Sequence, residues 1–200
     1  MPSNRAFQAD YVLASHVIEH VPDLVTWLAD IHDILAPSGL LRLAVPDRRY
    51  TFDFLRRETE LHEVLDAYVQ RATVPTPHVV LDHCLNFRTV DLHQAWRGTL
   101  DPANLPPTFS VAEAITNARE VTAQGAYLDV HCWVFTPTSF ARLMEQATAA
   151  GLARFACVDV QFPRPFDNDF VTGLEPSDNV PAMVASWPQM RERAEQLDSP

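Results

Sequence analysis

Glycine is scarce in this 200-residue chain. There are five glycines, and no two of them are separated by a single residue, so the sequence contains no Gly-x-Gly; they stand at positions 39, 98, 125, 151 and 173. Glycine turns of that kind let a backbone approach a nucleotide cofactor closely at the start of a helix. The sequence therefore predicts no glycine-rich nucleotide cradle within this chain.

Cysteine and basic residues are also in short supply. The three cysteines, Cys84, Cys132 and Cys157, are far apart and form no Cys-x-x-Cys pair, which favours a reducing compartment without structural disulfides. Acidic residues outnumber basic ones by 26 to 15, for a formal charge of -11. Such a charge disfavours binding to nucleic acid or to anionic membrane surfaces.

Long apolar runs are absent as well. None approaches the roughly 18 residues of a membrane-spanning helix, and the N-terminal MPSNRAFQAD lacks the apolar core of a signal peptide. We therefore predict a cytoplasmic protein. Hydrophobic residues nevertheless make up 47% of the chain and charged residues 20%, which predicts one domain with a substantial core.

Residues 1–46 have the pattern of a βαβ unit. Asp10–Ser15 is a short apolar run typical of a buried strand, and a helix with apolar residues on one face follows it. Pro37-Ser38-Gly39 is expected to end this helix, and a second strand is expected at 40–45. Strand, helix and strand at this spacing predict two parallel strands.

Residues 47–135 interrupt the pattern and are predicted to form a helical cap that holds the substrate. Helices are expected at about 58–72 and 110–124, and the second begins with a capping box, Ser110-x-x-Glu113, and is followed by a glycine. A segment this long is not an ordinary connection between a strand and a helix. It is therefore interpreted as an insertion.

Residues 136–176 resume the alternation of helix and strand. A helix beginning at Thr136-Pro137 is followed by strands at 155–162 and 169–174, and residues 177–200 are predicted to be a tail. The predicted fold class is therefore α/β, with the cap inserted between two parts of one core.

The pattern His16-x-x-Glu19-His20 is also found in helical zinc hydrolases. In those enzymes the motif lies within a long helix, so that both histidines face one metal. Here a strand ends at Ser15 and Pro22 follows closely, which leaves room for one helical turn at most. A zinc-hydrolase site is therefore disfavoured.

The run DYVLASHVIEHVPDLVTWLADIHDILAPSGLLRLAVPD, residues 10–47, resembles class I S-adenosylmethionine-dependent methyltransferases of the type 11 kind. It matches the family's fourth strand, Glu-His-Val turn, following helix, Pro-x-Gly turn and fifth strand ending in Val-Pro-Asp. The resemblance implies a partial Rossmann-like methyltransferase sheet with a helical cap insertion, in which the last strand runs antiparallel. It also implies S-adenosylmethionine as the cofactor.

In that family the glycine-rich turn and three strands precede the matching region. We therefore expect a truncated methyltransferase for a small polar or sugar-derived acceptor, not competent alone. The alternative is a non-enzymatic methyltransferase-like fragment that acts as a dimerisation or interaction module. In both cases strand 10–15 is expected at an exposed sheet edge, where it would pair with a second copy or a partner chain.

The resemblance places the cofactor against Ser15, His16 and Val17, which follow the fourth strand. The alternative is that Ser15 and His16 only turn the chain. Some family members bind magnesium at this turn, and His16, Glu19 and His20 have comparable spacing. We expect His20 to be a hydrogen-bonded structural residue and predict no metal site.

Substrate-binding residues are expected after the second strand, where open α/β sheets hold ligands. Asp47, Arg49, Tyr50 and Asp53 are the candidates for a polar substrate. The alternative is that nearby arginines and carboxylates pair with one another on a solvated helix start; these are Arg48, Arg49, Arg56 and Arg57 with Asp53, Glu58 and Glu60.

Two histidines of the cap are candidate general bases. His131 is the first choice and His83 the second, because each stands among apolar residues and close after an aspartate, Asp129 or Asp82. Burial shifts the pKa of such a histidine and favours a role in proton transfer. The alternative is that both are core residues with satisfied hydrogen bonds.

Overall fold

The computed structural model describes residues 8–198 as an α/β fold built on one four-stranded sheet. The strands and helices follow in the order β1 (Ala9–Ser15), α1 (Leu24–Ile34), β2 (Leu35–Pro46), α2 (Leu61–Gln70), α3 (Pro77–Asn86), α4 (Leu92–Trp96), α5 (Val111–Gln124), α6 (Pro137–Ala149), β3 (Phe155–Gln161), β4 (Asp169–Pro176) and α7 (Val180–Asp198).

The sheet has the order β1-β2-β4-β3. β1 and β2 are parallel, and β4 runs antiparallel to both of its neighbours, β2 and β3. The βαβ unit, the antiparallel last strand and the α/β class are therefore confirmed. This mixed order is consistent with the sheet expected from the resemblance.

The connection from α1 to β2 differs from the prediction. Asp23 caps α1 by accepting a hydrogen bond from the Thr26 amide, but the helix ends at Ile34 and β2 begins at once. Leu35 pairs with Ala9 and Leu40 with Tyr11, so residues 36–39 bulge out of the ladder. The predicted Pro-Ser-Gly turn is this bulge within the strand, because backbone pairing resumes on both sides of it.

β1 lies at the edge of the sheet formed by residues 8–198. Its inward-facing Ala14 is buried, whereas Tyr11 and Leu13 on the other face are 52% and 73% exposed. A strand edge beside exposed apolar side chains is a potential pairing surface.

The C-terminal residues are part of the core, so the predicted tail was wrong. α7 packs on α6 and β3 and buries Met183, Trp187 and Met190 completely or nearly so. The apolar residues recur at spacings of four and three, which is the period of a helix face. Pro188 lies inside the helix and does not end it.

The inserted segment contains more helix than was predicted. α2 is shorter than expected and packs on α1, whereas α3 and α5 form a second apolar core around Val80, Cys84 and Ala118. The capping box of α5 and its glycine C-cap are present as predicted. The two helices α3 and α4 were not predicted from sequence; Thr76 and Asp91 cap them.

All three cysteines are free thiols, as predicted. Burial raises the pKa of Cys132 to about 12, so this thiol stays protonated. Within the described part of the chain, no helix combines the length and apolar character needed to cross a bilayer.

Candidate active site

The candidate site lies at the carboxyl edge of the parallel pair β1 and β2. His16 follows β1, Asp47 follows β2, and the first residue of the antiparallel β4, Asp169, reaches the same edge. His16 Nε2 is 3.1 Å from Asp169 Oδ2. The topology therefore brings together three chain segments that are far apart in sequence.

The three residues predicted to contact the cofactor lie on this edge. Ser15 is exposed and Val17 is 40% exposed, so both are open to a ligand. His16 has a left-handed backbone with φ of 53°, which turns the chain sharply out of the strand. The turn predicted here is therefore present, and the cofactor contact stays a prediction.

Residues 130–136 form an extended, fully buried segment that closes the site from the cap side. The amides of Cys132 and Trp133 both donate to the Glu19 carbonyl oxygen, and the Trp133 indole donates to Val21. Further along, the Arg48 amide donates to Phe135. These bonds hold the segment against the turns that follow β1 and β2.

Asp47, Arg49 and Tyr50 support one another. Asp47 is completely buried and accepts hydrogen bonds from both the amide and the guanidinium of Arg49, with Arg49 Nη2 at 2.6 Å from Oδ2. The Tyr50 ring stacks on Trp96 with a centroid distance of 4.1 Å. The buried carboxylate of Asp47 thus shapes the turn, and Arg49 and Tyr50 form its more exposed face.

Asp53 is enclosed within the protein. It is 2% exposed and bonds to His131 Nδ1 at 2.5 Å and to Arg56 Nη1 at 2.9 Å. Burial alone would raise the pKa of Asp53, but the hydrogen bond from His131 and the charge of Arg56 outweigh it and lower the pKa. Asp53 therefore orients His131. It would act on a substrate only indirectly, by positioning that ring.

Arg56 is a buried cation that links segments of the insertion by hydrogen bonds. Its guanidinium donates to Asp53, to Asp82 of α3 and to the carbonyl oxygen of His131. Arginines and carboxylates were expected to pair on a solvated helix start. The pairs that Arg56 forms lie instead in the protein interior. Arg57 and Glu60 form an exposed pair of the expected kind, at 3.7 Å.

The two candidate bases lie close together, with a distance of 6.3 Å between the ring centroids of His83 and His131. Their sequence-adjacent aspartates have other partners: Asp82 binds Arg56, and Asp129 Oδ1 is 2.9 Å from His20 Nδ1. Burial lowers the pKa of His83 to about 4, and the nearby Arg56 charge adds to the effect. His83 is therefore neutral at pH 7.

Glu19 is the centre of the histidine cluster. Its Oε1 lies 3.7 Å from His16 Nδ1, 3.8 Å from His20 Nε2 and 3.9 Å from His131 Nε2. Burial raises the pKa of Glu19 despite the three neighbouring imidazoles. The sequence motif did not predict the contact between Glu19 and His131, because His131 comes from the far end of the inserted segment.

Several contributors to the site were missed from the sequence. Arg56 was interpreted only as a possible surface partner, and Phe52, whose ring is 4.5 Å from the His131 ring, was not considered. Glu19 and His20 were noticed as a motif without their partner. The signal available was the short stretch of mostly apolar residues around His131, which indicates burial but not contacts.

A separate cavity of about 660 Å³ opens between α2 and α3. Its walls include Arg56 and Asp82 together with Glu63 and Trp133, but neither Glu19 nor His131 lines it. The cavity is therefore distinct from the cluster around Glu19 and His131 at the sheet edge.

The comparisons with known proteins agree with this geometry. A family model described as a methyltransferase domain matches residues 2–152, which is most of the chain. No match was found among curated proteins or among solved structures. With the mixed sheet and its antiparallel last strand, the family match shows that the chain belongs to the methyltransferase domain family and has a class I S-adenosylmethionine-dependent methyltransferase-like fold.

Proposed function

We propose that the protein transfers a methyl group from S-adenosylmethionine to a hydroxyl group of a small polar or sugar-derived acceptor. The observation that supports this most directly is the buried pair Asp53–His131, which lies beside the carboxyl edge of the sheet in a chain of methyltransferase fold. Ligands of open α/β sheets bind at that edge.

In this proposal the cofactor lies against Ser15, His16 and Val17. The exposure of Ser15 and Val17 fits such a contact, whereas the chain contains no Gly-x-Gly to hold the methionine end of the cofactor. We therefore propose weak binding by this chain alone, with a Kd no tighter than about 1 mM, or about 4 kcal/mol. When bound, the cofactor supplies a methyl group on a positively charged sulfur.

The acceptor is proposed to lie between this edge and the face formed by Arg49 and Tyr50. Arg49 is 29% exposed at its side chain, so its guanidinium can meet a polar ligand while it holds Asp47. A fixed cation beside an aromatic ring suits the oxygens and apolar faces of a sugar-like molecule.

His131 is the residue proposed to act on the acceptor oxygen. Because an ionised Asp53 only accepts hydrogen bonds, Nδ1 of His131 carries the proton of that bond, and in the neutral ring Nε2 holds the lone pair. That lone pair is what a general base or a metal ligand requires. His83 is the second candidate, but a pKa of about 4 makes it a weak base.

The test is formation of S-adenosylhomocysteine by the full chain at several millimolar S-adenosylmethionine, with a panel of small polyhydroxylated acceptors. His131→Gln should lower the rate by about 100-fold or more, the usual effect of losing a proton-transfer group. His62→Gln is the control, since His62 is 75% exposed and outside the cluster. Equal rates for wild type and His131→Gln would contradict the assignment.

A second candidate function is a non-enzymatic interaction module. The exposed edge strand β1 with Tyr11 and Leu13 favours it, because such an edge can pair with another strand. In that case the chain would associate through β1 whether or not any cofactor is present, and it would form no S-adenosylhomocysteine.

A further inference from the structure

A buried carboxylate without hydrogen bonds lies at the centre of the site. Glu19 is 1% exposed, and within residues 8–198 no group hydrogen-bonds to either of its carboxylate oxygens. The ring nitrogens of His20 and His131 face Oε1 at 3.8 and 3.9 Å, beyond the usual N–H···O range of about 2.7–3.2 Å. A buried carboxylate in this state is costly unless a cation compensates it.

Each of the two histidines has a second carboxylate on the opposite side of the ring, which is hydrogen-bonded to His131 and only in ion-pair contact with His20. His131 Nδ1 is 2.5 Å from Asp53 Oδ2, and His20 Nδ1 is 2.9 Å from Asp129 Oδ1. Both rings therefore present Nε2 towards Glu19. Histidines that bind metals typically have this arrangement, since the outer carboxylate fixes the ring and its tautomer.

We propose that Glu19, His20 and His131 bind one divalent transition-metal ion. Their ligand atoms lie within 4.8 Å of one another. Ligands at about 2.0–2.2 Å from a zinc ion are roughly 3–3.5 Å apart, so small side-chain rotations close the site. The ion supplies the positive charge that the buried Glu19 lacks.

The donor set selects the class of metal. Two imidazole nitrogens and one carboxylate suit zinc, iron, cobalt, nickel or manganese, whereas magnesium and calcium prefer oxygen ligands throughout. His20 is 28% exposed at its side chain, which leaves the ion a route from solvent. This set includes a residue of the cap segment and differs from the magnesium set suggested by sequence spacing alone.

The site deepens the proposed function, and its catalytic role rests on that proposal. Three protein ligands leave coordination positions open for an acceptor oxygen, and a metal-bound hydroxyl group loses its proton far more readily than a free one. In this arrangement His131 is a ligand. His83, whose ring centroid is 6.3 Å from that of His131, then replaces His131 as the group that takes the proton of the acceptor.

The test is titration of the full, chelator-treated chain with Zn²⁺ by calorimetry and with Co²⁺ by visible absorption. We expect one equivalent of either metal and no competition from millimolar Mg²⁺. Glu19→Gln and His20→Gln should each weaken binding by more than about 100-fold. Asp129→Asn should weaken it by about 10-fold, because outer partners of ligands typically contribute 10- to 100-fold.

The controls separate this site from adventitious binding and from misfolding. His62→Gln removes a surface histidine near Glu60 and should leave the affinity unchanged. Asp129 is 76% exposed, so Asp129→Asn keeps the fold and still has to weaken binding. Less than half an equivalent of bound metal, or binding that Glu19→Gln, His20→Gln and Asp129→Asn leave unchanged, would overturn the inference.

The outcome is distinguishable from that for methyl transfer. Stoichiometric metal binding without formation of S-adenosylhomocysteine would contradict the proposed function and leave the metal site standing. Methyl transfer by a chain that binds no metal would contradict the metal site and leave the proposed function standing.

Discussion

At Glu19 a buried carboxylate meets three imidazole rings without a hydrogen bond to any of them. Such a group does not stabilise a fold by itself, and natural proteins retain unsatisfied buried charges mainly where function requires them. The sequence motif pointed to Glu19 and His20, but the partner His131 depends on how the inserted segment folds back. Spacing along the chain cannot predict that contact.

His32 in α1 provides a pH-dependent prediction away from the site. It is 8% exposed, and its Nδ1 accepts a hydrogen bond from Arg154 at 2.8 Å, so the ring is neutral. Burial, and then the charge of Arg154, lower its pKa below 6.5. Below pH 6.5 His32 therefore binds a proton in the unfolded chain but not in the folded chain. The free energy of unfolding falls as the pH falls.

Denaturant unfolding measured between pH 7 and pH 5 checks this prediction. The free energy of unfolding should decrease with falling pH in the wild type and decrease less steeply in His32→Gln, which cannot titrate. The exposed His62 serves as the control, since His62→Gln should retain the wild-type slope. Identical slopes in wild type and His32→Gln would contradict the neutral, buried state of His32.

At the scale of elements, α7 shows what the sequence interpretation missed. Residues 177–200 were predicted to be a tail, although Met183, Trp187, Met190 and Ala194 lie on one helix face. Helical periodicity was the stronger signal, because tertiary packing on α6 tolerates a proline whose missing amide lies on a half-exposed turn. The strands and α1 were predictable since their patterns are local.

Truncation of Trp187 tests whether α7 is part of the core. This side chain is fully buried and packs edge-on to Phe140 of α6. Trp187→Ala should lower the free energy of unfolding by about 3–5 kcal/mol, as large-to-small core substitutions do. Gln189→Ala is the matched control on the exposed face and should change it by less than about 0.5 kcal/mol. Similar small effects of both substitutions would show that α7 detaches in solution.

At the scale of the whole molecule, the exposed edge of β1 predicts self-association. Val12 packs against the main core, so a charge there would disrupt folding as well as pairing. Leu13 is 73% exposed and is the cleaner position. We expect the wild type to be a dimer or larger by light scattering, and Leu13→Lys to shift it towards monomer, because pairing would desolvate the charge.

The control for this prediction is Val69→Lys, which introduces the same charge at a position that is 79% exposed on α2. It should leave the assembly unchanged. A monomeric wild type, or a dimer indifferent to Leu13→Lys, would show that β1 is not the interface.

The sheet was predictable from the family pattern in residues 10–47, as the family match and the topology confirm, whereas the ligand edge stays a prediction. The chemistry was only partly predictable. His83 and His131 were recognised by their apolar surroundings, but Asp53 was expected at the surface and is buried beneath His131. Charge partners across distant segments are set by tertiary packing, which local patterns do not encode.

We predict above all that the carboxyl edge of β1 holds the cofactor. A ¹H–¹⁵N correlation titration of the full chain with S-adenosylmethionine measures this directly, and it detects binding at millimolar Kd. We predict fast-exchange shifts centred on the amides of Ser15, His16 and Val17, with a Kd of about 1 mM or weaker. Unchanged amides at these three positions at several millimolar cofactor, or shifts confined to another face, would contradict it.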